Sequence, residues 1–154
     1  MAMKSIILIT VLIVVLAATQ VVAQTLADPE IDISGTVPCS VTGSIAVNGT
    51  NRPPPFPNAV VQLSCDGSVR ATAITNETGA FTMTVSRNQV PNDLNALLSS
   101  CMVVVATPLS TCDPTLPSTG NLLALLSSKF PLEVVQNLQR QIYHTTRDFQ
   151  FIGS

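Results

Sequence analysis

Gly79-Ala80-Phe81-Thr82-Met83-Thr84-Val85-Ser86 alternates apolar side chains with hydroxyls without a break. A strand sends successive side chains to opposite faces, so this stretch has one apolar and one wettable face and reads as a half-buried strand. Upstream, Ala59, Val61, Leu63 and Cys65 share one parity, and Val60, Gln62 and Ser64 share the other. That is a second strand, with a cysteine on its inward side. Asp66-Gly67 turns the chain, and Ser68 to Thr75 is small and β-branched. Asn76-Glu77-Thr78-Gly79 closes the next turn, where glycine can take positive φ without steric cost. Ala59 to Ser86 therefore predicts a β-meander, with the rest of the chain added around it as strands and loops.

Outside the meander, the amino terminus sets the compartment. Lys4 precedes the apolar run Ile6 to Ala18, and Val21-Val22-Ala23 supplies small residues before Gln24. This pattern predicts a secretory signal over residues 1–23 and one exported domain over residues 24–154. As a helix, Ile6 to Ala18 would rise only about 20 Å against a hydrocarbon thickness of roughly 30 Å, so a membrane anchor is not expected.

The 154-residue chain has 7 basic and 9 acidic residues, a formal net charge of −2, which becomes more negative by one when Lys4 leaves with the signal. Nucleic-acid binding needs clustered Lys and Arg, whereas the basic residues here are scattered from Arg52 to Arg147. Charged residues make up only 10% of the chain. An exported domain so thinly charged must present an uncharged Ser, Thr, Asn and Gln surface with apolar patches, and could partition onto waxy or apolar surfaces.

Cys39, Cys65, Cys101 and Cys112 are an even set in a chain bound for an oxidising compartment, so complete pairing is expected. Three connectivities are open. Cys65 and Cys101 each lie on the inward parity of a strand, which makes a bridge between them geometrically natural and would leave Cys39 for Cys112. No C-x-x-C occurs and His144 is the single histidine, so no metal site and no cofactor are expected. Asn48-Gly49-Thr50 and Asn76-Glu77-Thr78 fit the N-glycosylation pattern on expected turns, making Asn48 and Asn76 candidate sugar acceptors. At Asn76, turn chemistry alone would also favour asparagine.

In chain order, Ile31 to Val41 reads as the first strand, with Ile33, Val37, Cys39 and Val41 on one parity and Pro38 marking an edge. Asn51 to Pro57 reads as a stiff, polyproline-like connector. Short helical turns are expected near residues 92–99, capped by Asn92 with Leu94, Leu97 and Leu98 inward, and near 121–127. Cys101 to Ala106 reads as a central strand, and Phe149-Gln150-Phe151 as the last. Leu132 to Leu138 fits either class. The spacing predicts an all-β fold, an antiparallel sandwich or barrel of about seven strands with two disulfides.

Catalysis finds little support. There is no G-x-S-x-G motif to pair with His144, and Asp28, Glu30 and Asp32 read as a solvated leader and not as the paired acids of a glycosidase. The chain is expected not to be an enzyme.

Several stretches together resemble one family: Ile33 to Gly43, Phe56 to Cys65, Thr75 to Phe81 and Val103 to Cys112, the last being the most specific. They are similar to the phylloplanins, secreted plant leaf-surface proteins within the wider olive pollen allergen and extensin-like group, and the likeness covers about residues 33–115. The resemblance implies a β-barrel, bridges Cys39–Cys112 and Cys65–Cys101, and extracellular defence against fungal or oomycete spores on the leaf surface. The partner it implies is a spore or hyphal surface. The alternative drawn from the wider group is a cell-wall protein binding polysaccharide or wall glycoprotein. Six-cysteine members of that group carry a further cysteine where this chain has Thr42. Neither reading involves stable membrane insertion, and the oligomeric state is left open.

Overall fold

The computed structural model describes residues 30–42, 53–128, 134–135, 138–139, 141–145 and 149–153, with the backbone alone at 128 and through 134–145. The expected signal over residues 1–23 and the acceptor Asn48 lie outside the described residues.

The strands are β1 (Glu30–Thr36), β2 (Val60–Cys65), β3 (Ser68–Ile74), β4 (Ala80–Ser86), β5 (Cys101–Val105), β6 (Asn121–Ser128), β7 (Val134–Val135), β8 (Leu138–Gln139), β9 (Gln141–Thr145) and β10 (Gln150–Ile152). Among the described residues one α-helix, α1 (Leu94–Ser100), leads into β5, and 3-10 turns form at Arg87–Gln89 and Leu109–Thr111. Hydrogen-bonded neighbours run β3-β2-β5-β6-β9-β1-β4, with β10 also on β6 and β7-β8 a separate pair. The two ends of that path, β3 and β4, approach each other across the Asn76–Gly79 turn without a hydrogen-bonded ladder among the described residues, so the sheet curls into an open barrel. The expected all-β fold of about seven strands is the observed one. Pairing is antiparallel except between β1 and β9, which run parallel.

The meander follows its sequence pattern. Ile31, Ile33, Val61, Leu63, Phe81, Met83, Val85, Val103 and Val105 fill the barrel, and partly buried Ala71 and Ala73 of β3 pack against them. Asp66 (φ 50°) and Gly67 (φ 76°) both take positive φ, the two-residue turn whose twist suits a tight hairpin. Gly79 also has positive φ (74°), and a Cβ there would stand 2.6 Å from the Val37 carbonyl oxygen. Glycine at 79 therefore answers two demands at once, backbone conformation and close approach. Beside it, buried Thr75 donates its hydroxyl to Phe56 O (2.6 Å) and accepts from Ala59 N (2.8 Å), pinning the loop before β2.

Four local expectations change. The first strand ends at Thr36, short of Val41, and Val41 is exposed. Pro38 instead faces Pro55 in an isolated antiparallel bridge, the hydrogen bonds being made by their neighbours: Cys39 N to Pro54 O (2.8 Å) and Phe56 N to Val37 O (3.0 Å). In a pair of this kind the central residues donate nothing to each other, so two prolines fit where an N–H is not needed. The proline segment thus takes part in pairing, which a free connector would not. Next, α1 is capped by Asp93 and not Asn92: the Asp93 carboxylate accepts from Ala96 N at 2.9 Å. Leu97 is buried and Leu94 and Leu98 pack on the core, as the spacing implied.

Third, residues 121–127 are not a helical turn but part of β6. Leu122, Ala124 and Leu126 point inward, while Leu123 and Leu125 point out. Both faces of this strand are apolar, which erases the contrast that a period-two reading needs. Fourth, Glu30 and Asp32 belong to β1 and not to a leader. Asp32 is buried on the outer side of the strand, accepting the Thr84 hydroxyl at 2.7 Å.

Candidate functional site

The four cysteines pair as Cys65–Cys101 and Cys39–Cys112. Cys65 and Cys101 sit directly opposite each other on β2 and β5 with Cα atoms 4.1 Å apart, and the flanking bond Asp66 N to Ser100 O makes them a non-hydrogen-bonded pair, the closer of the two antiparallel spacings. Cys39–Cys112 ties the Pro38–Pro55 bridge to the turn after β5. With sequence separations of 36 and 73, each link removes on the order of 4 kcal/mol of denatured-chain entropy in the loop-closure model.

This scaffold holds two outer faces of opposite character. On β1 and β4 the outward positions are Asp32 and Ser34 opposite Thr84 and Thr82, followed by Thr36 opposite Ala80. Thr36, Thr82 and Thr84 are exposed, Ser34 and Ala80 are half-buried and Asp32 is buried, so the row is hydroxyl-rich and wet along its threonines. The other face runs over β3, β2, β5, β6 and β10. Its register places Ile74 beside Val60, Gln62 beside Val104 and Val104 beside Leu123, and Ser64 between Val69 and Met102, with Leu125 beyond. Ile152 stands opposite Asn121 at the β10 end. Ile74 is 65% exposed, Leu125 57%, Val69 54% and Ile152 53%. Between them Val60, Met102, Val104 and Leu123 are half-buried. The polar members, Gln62, Ser64, Thr72, Asn121 and Gln150, carry no charge, and among the described residues the one charged side chain of these five strands is Arg70 at the β3 bulge.

Single exposed apolar residues need no explanation, but a contiguous, nearly charge-free sheet face is the candidate for a contact surface. Such a face can spread on a hydrocarbon or other uncharged surface without desolvating a charge. The composition pointed to apolar patches somewhere; their position was hidden, because outward Leu123 and Leu125 look like core until the inward parity is known. The signal that could have found them is the pair of two-sided apolar runs, Cys101 to Ala106 and Leu122 to Leu126.

The remaining sites are simpler. His144 lies on β9, in register with Ser34 of β1 and Ser127 of β6. Asp28 is outside the described residues. Asn76 is exposed on the β3–β4 turn, its side-chain oxygen accepting from Thr78 N, the Thr78 hydroxyl and Ala80 N. Asp113 accepts both the Thr115 N–H (2.9 Å) and its hydroxyl (2.8 Å), which hold its carboxyl below the ordinary value of 3.8. Among the described residues no group of His, Cys, Asp and Glu converges as metal ligands, and no helix is long and apolar enough to cross a membrane.

The class defined by this fold and surface is a doubly crosslinked β-barrel with one wet and one apolar outer face. A family model described as "Phylloplanin antifungal protein" matches residues 14–151. The chain is also 43% identical over 120 residues to the phylloplanin of Nicotiana tabacum, an alignment covering 77% of this chain and 73% of that relative. The chain belongs to the phylloplanin family. Neither the family description nor the relative's name carries an enzymatic activity.

Proposed function

We propose that this is a secreted defence protein of the plant surface, which inhibits germination or growth of fungal and oomycete spores by contact and without bond chemistry. The observation that carries the reading is the family match, which spans nearly the whole chain and bears an antifungal description. The apolar face supplies a physical means. A neutral sheet face exposing Val69, Ile74, Leu125 and Ile152 gains free energy by leaving water, roughly 25 cal/mol for each Å² covered. It would hold the protein in an apolar layer on the leaf, or against an uncharged region of a spore or hyphal surface.

The test is a germination assay with purified, oxidised protein at micromolar concentration. Inhibition that disappears in the Cys39→Ala, Cys112→Ala double variant supports the proposal and places activity on the folded scaffold. Normal germination beside protein that pulls down wall polysaccharide or wall glycoprotein would reject it in favour of an extracellular-matrix role.

A further inference from the structure

We propose that Asn76 carries an N-linked oligosaccharide in the mature protein and that the β3–β4 turn is built to bear it. All three residues of the sequon Asn76-Glu77-Thr78 are exposed. Its asparagine uses only one end of its amide: Oδ1 accepts from Thr78 N (2.9 Å), the Thr78 hydroxyl (2.7 Å) and Ala80 N (3.0 Å). Three donors on one oxygen fix the side chain and leave Nδ2 on the opposite side, away from the turn. The turn needs an acceptor at 76, and an aspartate would serve equally. The amide nitrogen is what the turn does not use, and the amide nitrogen is what a glycosidic bond requires.

The platform beneath is rigid. Asn76 N donates to Ala80 O and Gly79 N to Asn76 O, both at 2.9 Å, while buried Thr75 next door is held by Phe56 and Ala59. Replacing one Nδ2 hydrogen by a sugar therefore disturbs none of the bonds that shape the turn. In the transfer, Nδ2 attacks C1 of an oligosaccharide linked to a lipid pyrophosphate. The new N–C1 bond forms as the C1–O bond breaks, the lipid pyrophosphate leaves with the electron pair, and the amide proton passes to a base. The sugar would stand at the end of β3, close to exposed Ile74, and so at the border of the apolar face. A bulky hydrated group there would limit how far that face can pack against a second copy.

The test is peptide mapping of the protein secreted by plant cells. Cleavage after Arg70 and Arg87 isolates Ala71–Arg87, which contains Asn76 and no other sequon, Asn48 falling in a different peptide. The expected result is a glycopeptide whose release by an N-glycan amidase in heavy-oxygen water converts Asn76 to labelled Asp. Secreted protein in which Ala71–Arg87 is wholly unmodified overturns the proposal. A second variant separates the sugar from the fold: Asn76→Asp keeps the acceptor oxygen, so it should be secreted folded and one glycan lighter than untreated wild type. An Asn76→Asp protein of undiminished glycan mass overturns it too.

Discussion

The outer face of β1 and β4 and the outer face of β3, β2, β5, β6 and β10 are made by the same barrel, yet they solve opposite problems. On β4 the outward Thr82 and Thr84 are wet, and Thr84 hydrogen-bonds Asp32 across the strand pair. On β6 the outward positions are Leu123 and Leu125, and the neighbouring strand offers Met102 and Val104. A soluble sheet normally alternates apolar inside with polar outside. The first region obeys that rule and can be accounted for by folding alone. The second breaks it: Leu125, Ile74, Val69 and Ile152 are exposed there, which makes this face the candidate contact surface.

The comparison can be broken most severely by removing the frame that keeps the faces apart. Replacing Cys39 and Cys112 by alanine is expected to cost about 4 kcal/mol, as an upper figure, lowering the denaturation midpoint and abolishing both faces together. Thr75→Val comes next. It leaves the buried Phe56 O and Ala59 N without their partner, at about 1–3 kcal/mol for each group, and denaturant titration should show the loss with the disulfides intact. Thr84→Ala on the wet face removes one hydrogen bond to Asp32, about 1–3 kcal/mol because the acceptor is a carboxylate, and should leave adsorption to hydrocarbon unchanged.

Leu125→Ser on the apolar face should do the reverse: stability within about 0.5 kcal/mol of wild type, with measurably weaker retention on an alkyl-coated surface. The smallest effect concerns pH. The Asp113 carboxyl is lowered in the folded state, so its contribution is present above the ordinary value of 3.8 and is lost as pH falls through the folded value. Asp113→Asn should therefore lower stability slightly at neutral pH and leave it unchanged below the folded value, which flattens the acid limb of the stability curve.

The same contrast explains what could be read from the sequence. The octet Gly79 to Ser86 was legible because its two faces differ chemically, and the meander Ala59 to Ser86 followed from it together with its turns. Helix α1 was legible from the spacing of Leu94, Leu97 and Leu98, though its cap shifted by one residue because Asn92 and Asp93 are both good caps. Strand β6 was not legible, since Leu122 to Leu126 is apolar on both sides. The feature that hid the strand is the one that makes the face. The parallel pairing of β1 with β9 joins segments far apart in the chain, and no local pattern encodes it. The Pro38–Pro55 bridge is hidden for another reason: Asn51 to Pro57 has the composition of a free connector, whereas proline forbids only donation and not pairing.

The central claim, that the apolar sheet face is the working surface, is tested most directly by one paired measurement. Leu125→Asp with Ile74→Asp on that face, and Thr82→Asp with Ser34→Asp on the other, should be compared for adsorption at an alkane–water interface and for inhibition of spore germination, with circular dichroism confirming the fold. The account predicts that the first pair loses both adsorption and inhibition while the second keeps both. Full adsorption and full inhibition by the folded Leu125, Ile74 variant would contradict it.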